Sequence, residues 1–140
     1  MSLFDRESPG FLLSQVVRAY QYRMQSLLSK YGLYPGQPPI LFLLWEKDGR
    51  TQSEFCEALE LAPPTVTVML KRMEKAGLLR RSPDPGDLRV SRVFLTDTGR
   101  SIRPEVEEAI VKLDDECFKG FTPEEKVLLR RFLLHMRDNF

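Results

Sequence analysis

The sequence predicts a mainly α fold with a small β wing: a winged helix-turn-helix flanked by long N- and C-terminal helices. Three observations carry this. Two short helical patterns follow one another between Thr51 and Ala76, a basic segment broken by Pro and Gly follows directly, and long amphipathic patterns occupy both ends of the chain.

At the N-terminal end, Ser8-Pro9 supplies a helix cap with proline at the first helical position, where its missing N–H costs nothing. Leu13, Val16, Val17, Tyr20, Met24, Leu27, Leu28 and Tyr31 then recur at three- and four-residue spacing, the pattern of an amphipathic helix ending near Gly32. Residues 33–39 read as a turn region punctuated by Pro35-Gly36 and Pro38-Pro39. The apolar run from Ile40 to Trp45 has little β-branching and reads as a short helix buried at the centre of the fold.

Thr51-Gln-Ser-Glu54 has the form of a capping box, and the helix it starts carries Phe55, Cys56 and Leu59 inward. Ala62-Pro63-Pro64 opens the next helix. Val66, Met69, Leu70, Met73 and Ala76 share its core face, while Pro64, Thr65, Thr67, Val68, Lys71, Arg72 and Lys75 fall on the opposite side. Small residues early and basic ones late suit a major-groove helix, with base edges reached near its start and phosphates by the longer side chains.

Gly77 ends that helix and residues 78–81 begin an extended segment. Residues 82–87, with two prolines and a glycine, read as a loop, and residues 90–95 as the returning strand of a hairpin that must pack on the helices to be stable. From about Thr98 to Lys119 one long helical pattern puts Ile102, Val106, Ala109, Ile110, Leu113 and Cys117 in a stripe, with Pro104 tolerated only in a first turn. Thr122-Pro-Glu-Glu125 is a second capping box, opening a last helix with Leu129, Phe132, Leu133, Met136 and Phe140 on one side.

Length and composition bound the rest. A chain of 140 residues with both charge signs mixed is expected to be one globular domain, 1–140, in which 36–99 form the winged unit and 8–32 with 100–140 a helical region. No basic lead into an apolar run and no stretch of membrane-spanning length occur, so a soluble, cytoplasmic protein without a membrane partner is expected. Two cysteines cannot make a disulfide scaffold, and a single histidine, His135, leaves no multi-histidine metal site, so neither metal nor cofactor is expected. Paired acid and base, nucleophile set and phosphate loop are all missing from the pattern, so an enzyme has no residue support.

Net charge is only +1, but from Lys71 to Arg92 seven basic residues face three acidic ones, a window of +4 that leaves −3 for the remainder. Such a local footprint is what contact with DNA phosphates requires. Arg80, Arg81 and Arg92 flank the hairpin and are candidates for phosphate contact. Thr65 and Thr67 either position the helix and touch bases or satisfy local amides. Broad apolar faces on the terminal helices exceed what two short helices and a wing need for cover, which points to a homodimer interface, with an enlarged monomeric core as the alternative.

As an ordered set, these segments resemble the MarR family of regulators: Gln37, T-Q-S-E-F at 51–55, T-V-T-V-M-L-K-R-M-E-K-A-G-L at 65–78, D-P-G-D-L-R at 84–89 and L-T-D-T-G-R at 95–100. The resemblance implies a homodimer with the N- and C-terminal helices as dimerisation platform, binding pseudo-palindromic double-stranded DNA as a repressor and often released by a small-molecule effector. It makes Pro63 to Ala76 the recognition helix, matches Arg72 to a basic residue of that helix, and matches Asp87 and Arg89 to the wing, the arginine entering the minor groove and the aspartate supporting the wing. Val68 departs from the polar or basic residue of many members and suits a thymine methyl instead.

Tyr20, Tyr31 and Trp45 are candidates to line an effector pocket, with aromatic core packing the plainer reading. Cys56 and Cys117 fall on apolar faces, and acids beside Cys117 disfavour a thiolate, so inert packing is expected rather than redox sensing. A winged-helix protein-interaction module that never touches DNA, and a regulator without an effector, remain as competing readings.

Overall fold

The computed structural model describes residues 5–140, so the first four residues of the expected domain lie outside the described residues. Helix α1 (Pro9–Leu28) starts where Ser8 Oγ accepts from the Phe11 amide, and a 3-10 turn (Ser29–Tyr31) carries it to Gly32, whose φ of 76° closes the helix in a conformation glycine adopts without strain. Helix α2 (Pro38–Glu46) is the expected central helix, with Ile40, Leu41 and Leu44 fully enclosed.

A short strand, β1 (Arg50–Thr51), then leads into α3 (Gln52–Leu59) and α4 (Pro63–Lys75), followed by β2 (Leu79–Asp84), β3 (Asp87–Leu95), α5 (Asp97–Ser101), α6 (Arg103–Cys117) and α7 (Pro123–Asp138). The sheet is antiparallel in the order β1-β3-β2, with Arg50 opposite Val93 and Thr51 opposite Arg92. One core joins Leu28, Ile40, Leu44, Phe55, Val66, Leu70, Met73, Val93 and Val106, so the helices and the inner face of the sheet bury one another.

The structure corrects the sequence pattern at several points. Strand β1 has no counterpart in it: two residues are too short for a periodic signal, and they pair because they lie beside β3. The Thr51 box is half formed. Thr51 Oγ1 accepts from the Glu54 amide, but the return bond is not made, the backbone of residue 51 being engaged in the strand pair. Residues 82–87 are mostly strand rather than loop, since Pro83 pairs with Ser91 and Asp84 with Asp87, leaving only Pro85-Gly86 at the turn. Proline is admitted because β2 is an edge strand, with a register shift at Pro83/Asp84.

Ala76 is exposed at the end of α4 instead of facing the core. The single helix expected from Thr98 is two, α5 and α6, joined at Ile102 (φ −82°, ψ −2°), because Pro104 occupies the first turn of α6 and would break a continuous helix. The box at Thr122 is complete in both directions.

The terminal helices leave much apolar surface in water. Val16 is 54% exposed and Phe132 52%, Phe11, Leu12, Leu13 and Val17 are exposed on α1 as well, and α7 has no buried residue. Helices α1 and α6 are braced together by Tyr20 Oη, which donates to Asp114 Oδ1 at 2.9 Å, and by a two-pronged Arg23–Glu116 pair with both bonds at 2.8 Å. Burial first, and then the bond to Asp114, push the Tyr20 phenol up to about 12. Among the described residues no helix is long and apolar enough to cross a membrane.

Candidate nucleic-acid interface

Helix α4 is presented by the turn before it. Glu60 takes a positive φ of 54°, the Leu61 amide donates to Cys56 O, and Pro63 and Pro64 fill the first turn of α4, where an N–H would lack an intrahelical partner. Val66, Leu70 and Met73 anchor the buried side. Pro64, Thr65, Val68, Lys71, Arg72 and Lys75 all lie on the exposed side, as the pattern required. Val68 is 49% exposed in the middle of this strip, an apolar contact surface between small and basic neighbours.

Thr67 differs from the others. Its hydroxyl donates to Pro63 O at 2.9 Å and accepts from Gln52 Nε2 at 2.6 Å, so it ties α4 to the start of α3 and is half-buried. Its polar atoms are spent locally, which fits the plainer of its two sequence readings. Gln52, which lies within the motif at 51–55 but has no role in the sequence reading, is the side chain that fastens α3 to α4 at this end.

The hairpin is stiffened at its turn by Asp84. Its Oδ2 accepts from the amides of Gly86 and Asp87 at 3.0 Å each, and its Oδ1 accepts from Arg92 Nε at 2.5 Å. Arg92 Nη1 also donates to Gly49 O at 2.9 Å, linking the hairpin to the turn before β1. The Arg92 bond holds the Asp84 carboxyl below its usual range and raises Arg92 in return. Arg92 is therefore a strut of the hairpin rather than a free cation. Asp84 is a site residue that the charge pattern does not reveal, although an aspartate two and three residues before backbone amides of a Pro-Gly turn is a recognisable acceptor.

Asp87 holds Arg89. Its carboxylate accepts from the Arg89 amide and Nε at 3.1 Å and from Nη2 at 3.2 Å, while the Arg89 side chain stays 91% exposed. The arginine bonds lower the Asp87 carboxyl. An aimed but solvated guanidinium at the hairpin tip results, beside the exposed Leu88. Arg80 stacks over the Phe94 ring at 4.8 Å and stays exposed. Arg81 pairs with the buried Val93 across the strands, and among the described residues its enclosed Nε and Nη2 have no hydrogen-bond partner.

The three aromatic candidates do not converge. Tyr20 lines a groove of about 930 Å³ running along α1, the start of α2 and the ends of α6 and α7. Trp45 instead donates through Nε1 to Gly99 O at 2.9 Å, and Tyr31 packs against the core with Lys30 over its ring. Cys117 lines the same groove as Tyr20, and Cys56 is half-buried beside Phe55; both are free thiols.

An exposed basic helix face beside a braced basic hairpin is the arrangement of winged-helix regulators, and comparison supports the likeness. The MarR family model matches residues 33–91, from the turn before α2 into β3. The HTH-type transcriptional regulator TtmR of Methylorubrum extorquens is 32% identical, over 99% of this chain and 73% of that protein. The chain belongs to the MarR family.

Solved structures superimpose over nearly the whole length. A mutant MarR from E. coli complexed with operator DNA has a TM-score of 0.83 at 25% identity, covering 97% of this chain and 99% of the other. Bordetella bronchiseptica BpsR, whose DNA binding is regulated by 6-hydroxynicotinic acid, has a TM-score of 0.84 at 25% identity, with 99% of each chain covered. This chain is thus a MarR-family transcriptional regulator built as a mainly helical winged-helix fold.

Proposed function

We propose that this chain is a homodimeric repressor that reads a pseudo-palindromic operator through the exposed face of α4 and releases it when a small molecule binds. The observation that carries the reading is the segregation of α4. One side is sealed into the core by Val66, Leu70 and Met73, while Pro64, Thr65, Val68, Lys71, Arg72 and Lys75 are all left in solvent beside a hairpin whose Arg89 is aimed by Asp87.

In this reading the N-terminal half of α4 enters the major groove, and Arg89 reaches the adjacent minor groove as an extended cation. Arg80 contributes exposed positive charge along the hairpin. Residues 36–99 act as the reading unit, and 8–32 with 100–140 as the dimerisation region within one domain. The bare apolar sides of α1 and α7 support a second copy as their cover, since exposed patches of this kind mark association surfaces. Two-fold symmetry then places the two α4 helices about one helical turn of DNA apart.

The groove walled by Tyr20 shares Leu12, Leu13, Val16 and Val17 with the bare face of α1, so a second copy would roof it, and a ligand held there would bias the separation of the two α4 helices. Regulation of BpsR by 6-hydroxynicotinic acid supports looking for an effector of that size.

The test uses a duplex enriched from a random pool. Thr65→Ala, Val68→Ala and Arg89→Ala should each weaken binding with an unchanged melting temperature, and Arg89→Ala should lower the magnitude of the log K versus log salt slope by about one. Affinity that survives all three substitutions would remove α4 and the hairpin from the interface.

A further inference from the structure

A second cleft, more polar than the groove walled by Tyr20, lies at the opposite end of α4 from its first turn. It has a volume of about 580 Å³ and is lined by Gln25, Ser29, Tyr34, Arg72, Lys75 and Ala76, with Gly32 and Leu33 at its floor. Among the described residues no acidic side chain lines it. Arg72 is held over the Tyr34 ring at 5.5 Å, and Tyr34 is itself 49% exposed. Two helices end here, α1 through its 3-10 turn and α4 at Ala76. Each end carries about half a negative charge, which the two cations outweigh to leave about +1.

Length decides what meets this cleft. Helix α4 has 13 residues and is therefore about 20 Å long, whereas a major groove is about 12 Å wide. A helix that enters the groove by its first turns carries its last turn out over the groove wall, where the phosphates run. Lys75 lies on the same strip as Pro64, Val68 and Lys71, so the cleft continues the reading face instead of turning from it.

We infer that this cleft, formed by Arg72, Lys75, Tyr34, Ser29 and Gln25, receives a phosphate of the DNA backbone at the C-terminal end of α4, so that each subunit holds the groove wall beyond its base-contacting turns. The inference rests on the operator-binding reading above. Tyr34 acts as a positioning residue that fixes the Arg72 guanidinium, and Ser29 and Gln25 supply neutral donors from α1 and the turn after it. Because α1 also carries exposed apolar surface, the contact would tie the helix of the proposed interface directly to DNA.

The experiment compares full-length wild type, Gln25→Glu and Tyr34→Ala on the enriched duplex, together with ethylation interference to map the phosphates. Both substituted positions are exposed, and melting curves confirm the fold. Gln25→Glu, which places a carboxylate in the cleft, is expected to weaken binding about tenfold with no change in sequence preference. Wild type should show a phosphate cluster at the groove wall met by the last turn of α4, and both variants should lose that cluster alone.

Unchanged affinity and footprint in both variants would overturn the cleft assignment while leaving the regulator reading in place. Wild type that binds no duplex would overturn both. Inorganic phosphate that perturbs the Ser29 and Tyr34 amides of DNA-free protein, with the variants still binding DNA normally, would assign the cleft to a free anion and overturn the backbone contact.

Discussion

Trp45 Nε1 donates to the carbonyl oxygen of Gly99 at 2.9 Å, and this one bond fastens the central helix α2 to the short helix α5 that leads out of the winged unit. Gly99 is buried, and a Cβ at that position would run into the Leu78 carbonyl oxygen. Arg103, at the start of α6, lies over the Trp45 ring at 5.6 Å. The joint between the reading unit and the long helices is thus built around one indole.

Two substitutions separate its parts. Trp45→Phe keeps a ring but orphans the Gly99 carbonyl, and should cost about 1–2 kcal/mol of stability. Gly99→Ala forces backbone apart and should cost about 3 kcal/mol. Urea unfolding of both variants measures the difference; a smaller loss for Gly99→Ala than for Trp45→Phe would contradict the packing described.

The Asp84 carboxyl links hairpin order to pH. Its pKa is lowered in the fold, first by the Arg92 bond and also by the Gly86 and Asp87 amides, against the opposing effect of desolvation. A lowered carboxylate contributes stability that is present above its unfolded value of about 3.9 and is lost as pH falls through the lower folded value. The Gly86 and Asp87 amide resonances should therefore hold steady down to about pH 4 and move only below it. In Asp84→Asn the Gly86 amide should lose this acid transition, while the Asp87 amide keeps that of its own lowered carboxyl, and amide exchange at the turn should quicken at neutral pH.

Tyr20 gives the opposite sign. Its phenol is raised to about 12, so its contribution is complete below the unfolded value of about 10 and is lost as pH rises from there toward the folded value. Phenolate absorbance of wild type minus Tyr20→Phe should titrate near 12. A midpoint at the unfolded value of about 10 would show that neither the burial of Tyr20 nor its bond to Asp114 holds in solution.

Arg81 carries enclosed N–H groups with no acceptor among the described residues, which costs free energy that a neutral side chain of similar length does not. Arg81→Met is expected to raise the melting temperature. A simultaneous loss of operator affinity would mark a cation kept for DNA at the expense of stability, whereas a lowered melting temperature would mean that an acceptor satisfies it in the folded protein.

The parts of this fold legible in the sequence are those with a periodic or capping signature. Ser8-Pro9, Thr122 to Glu125 and the two faces of α4 each announce themselves in the pattern, and each lies where the pattern puts it except Ala76, which is exposed beyond the last turn of α4. Strand β1 is not legible because two residues have no period, and Pro83 conceals a strand because proline is excluded from sheets except at an edge. Among site residues, exposure follows from helical geometry for Lys71, Arg72 and Lys75. The commitments of Thr67 to Gln52 and of Arg92 to Asp84 and Gly49 depend on partners that only the tertiary fold brings near, 15 residues away for Gln52, 8 for Asp84 and 43 for Gly49. Tyr31 and Trp45 share aromatic character with Tyr20, yet only Tyr20 reaches the groove.

The central claim is that two copies of the exposed α4 face read DNA together. Selection of bound sequences from randomised duplex DNA tests it most directly. The account predicts enrichment of an inverted repeat whose half-sites are centred about one helical turn, roughly 10 base pairs, apart. Enrichment of a single unrepeated site, or no enrichment at all from a folded protein, would contradict it.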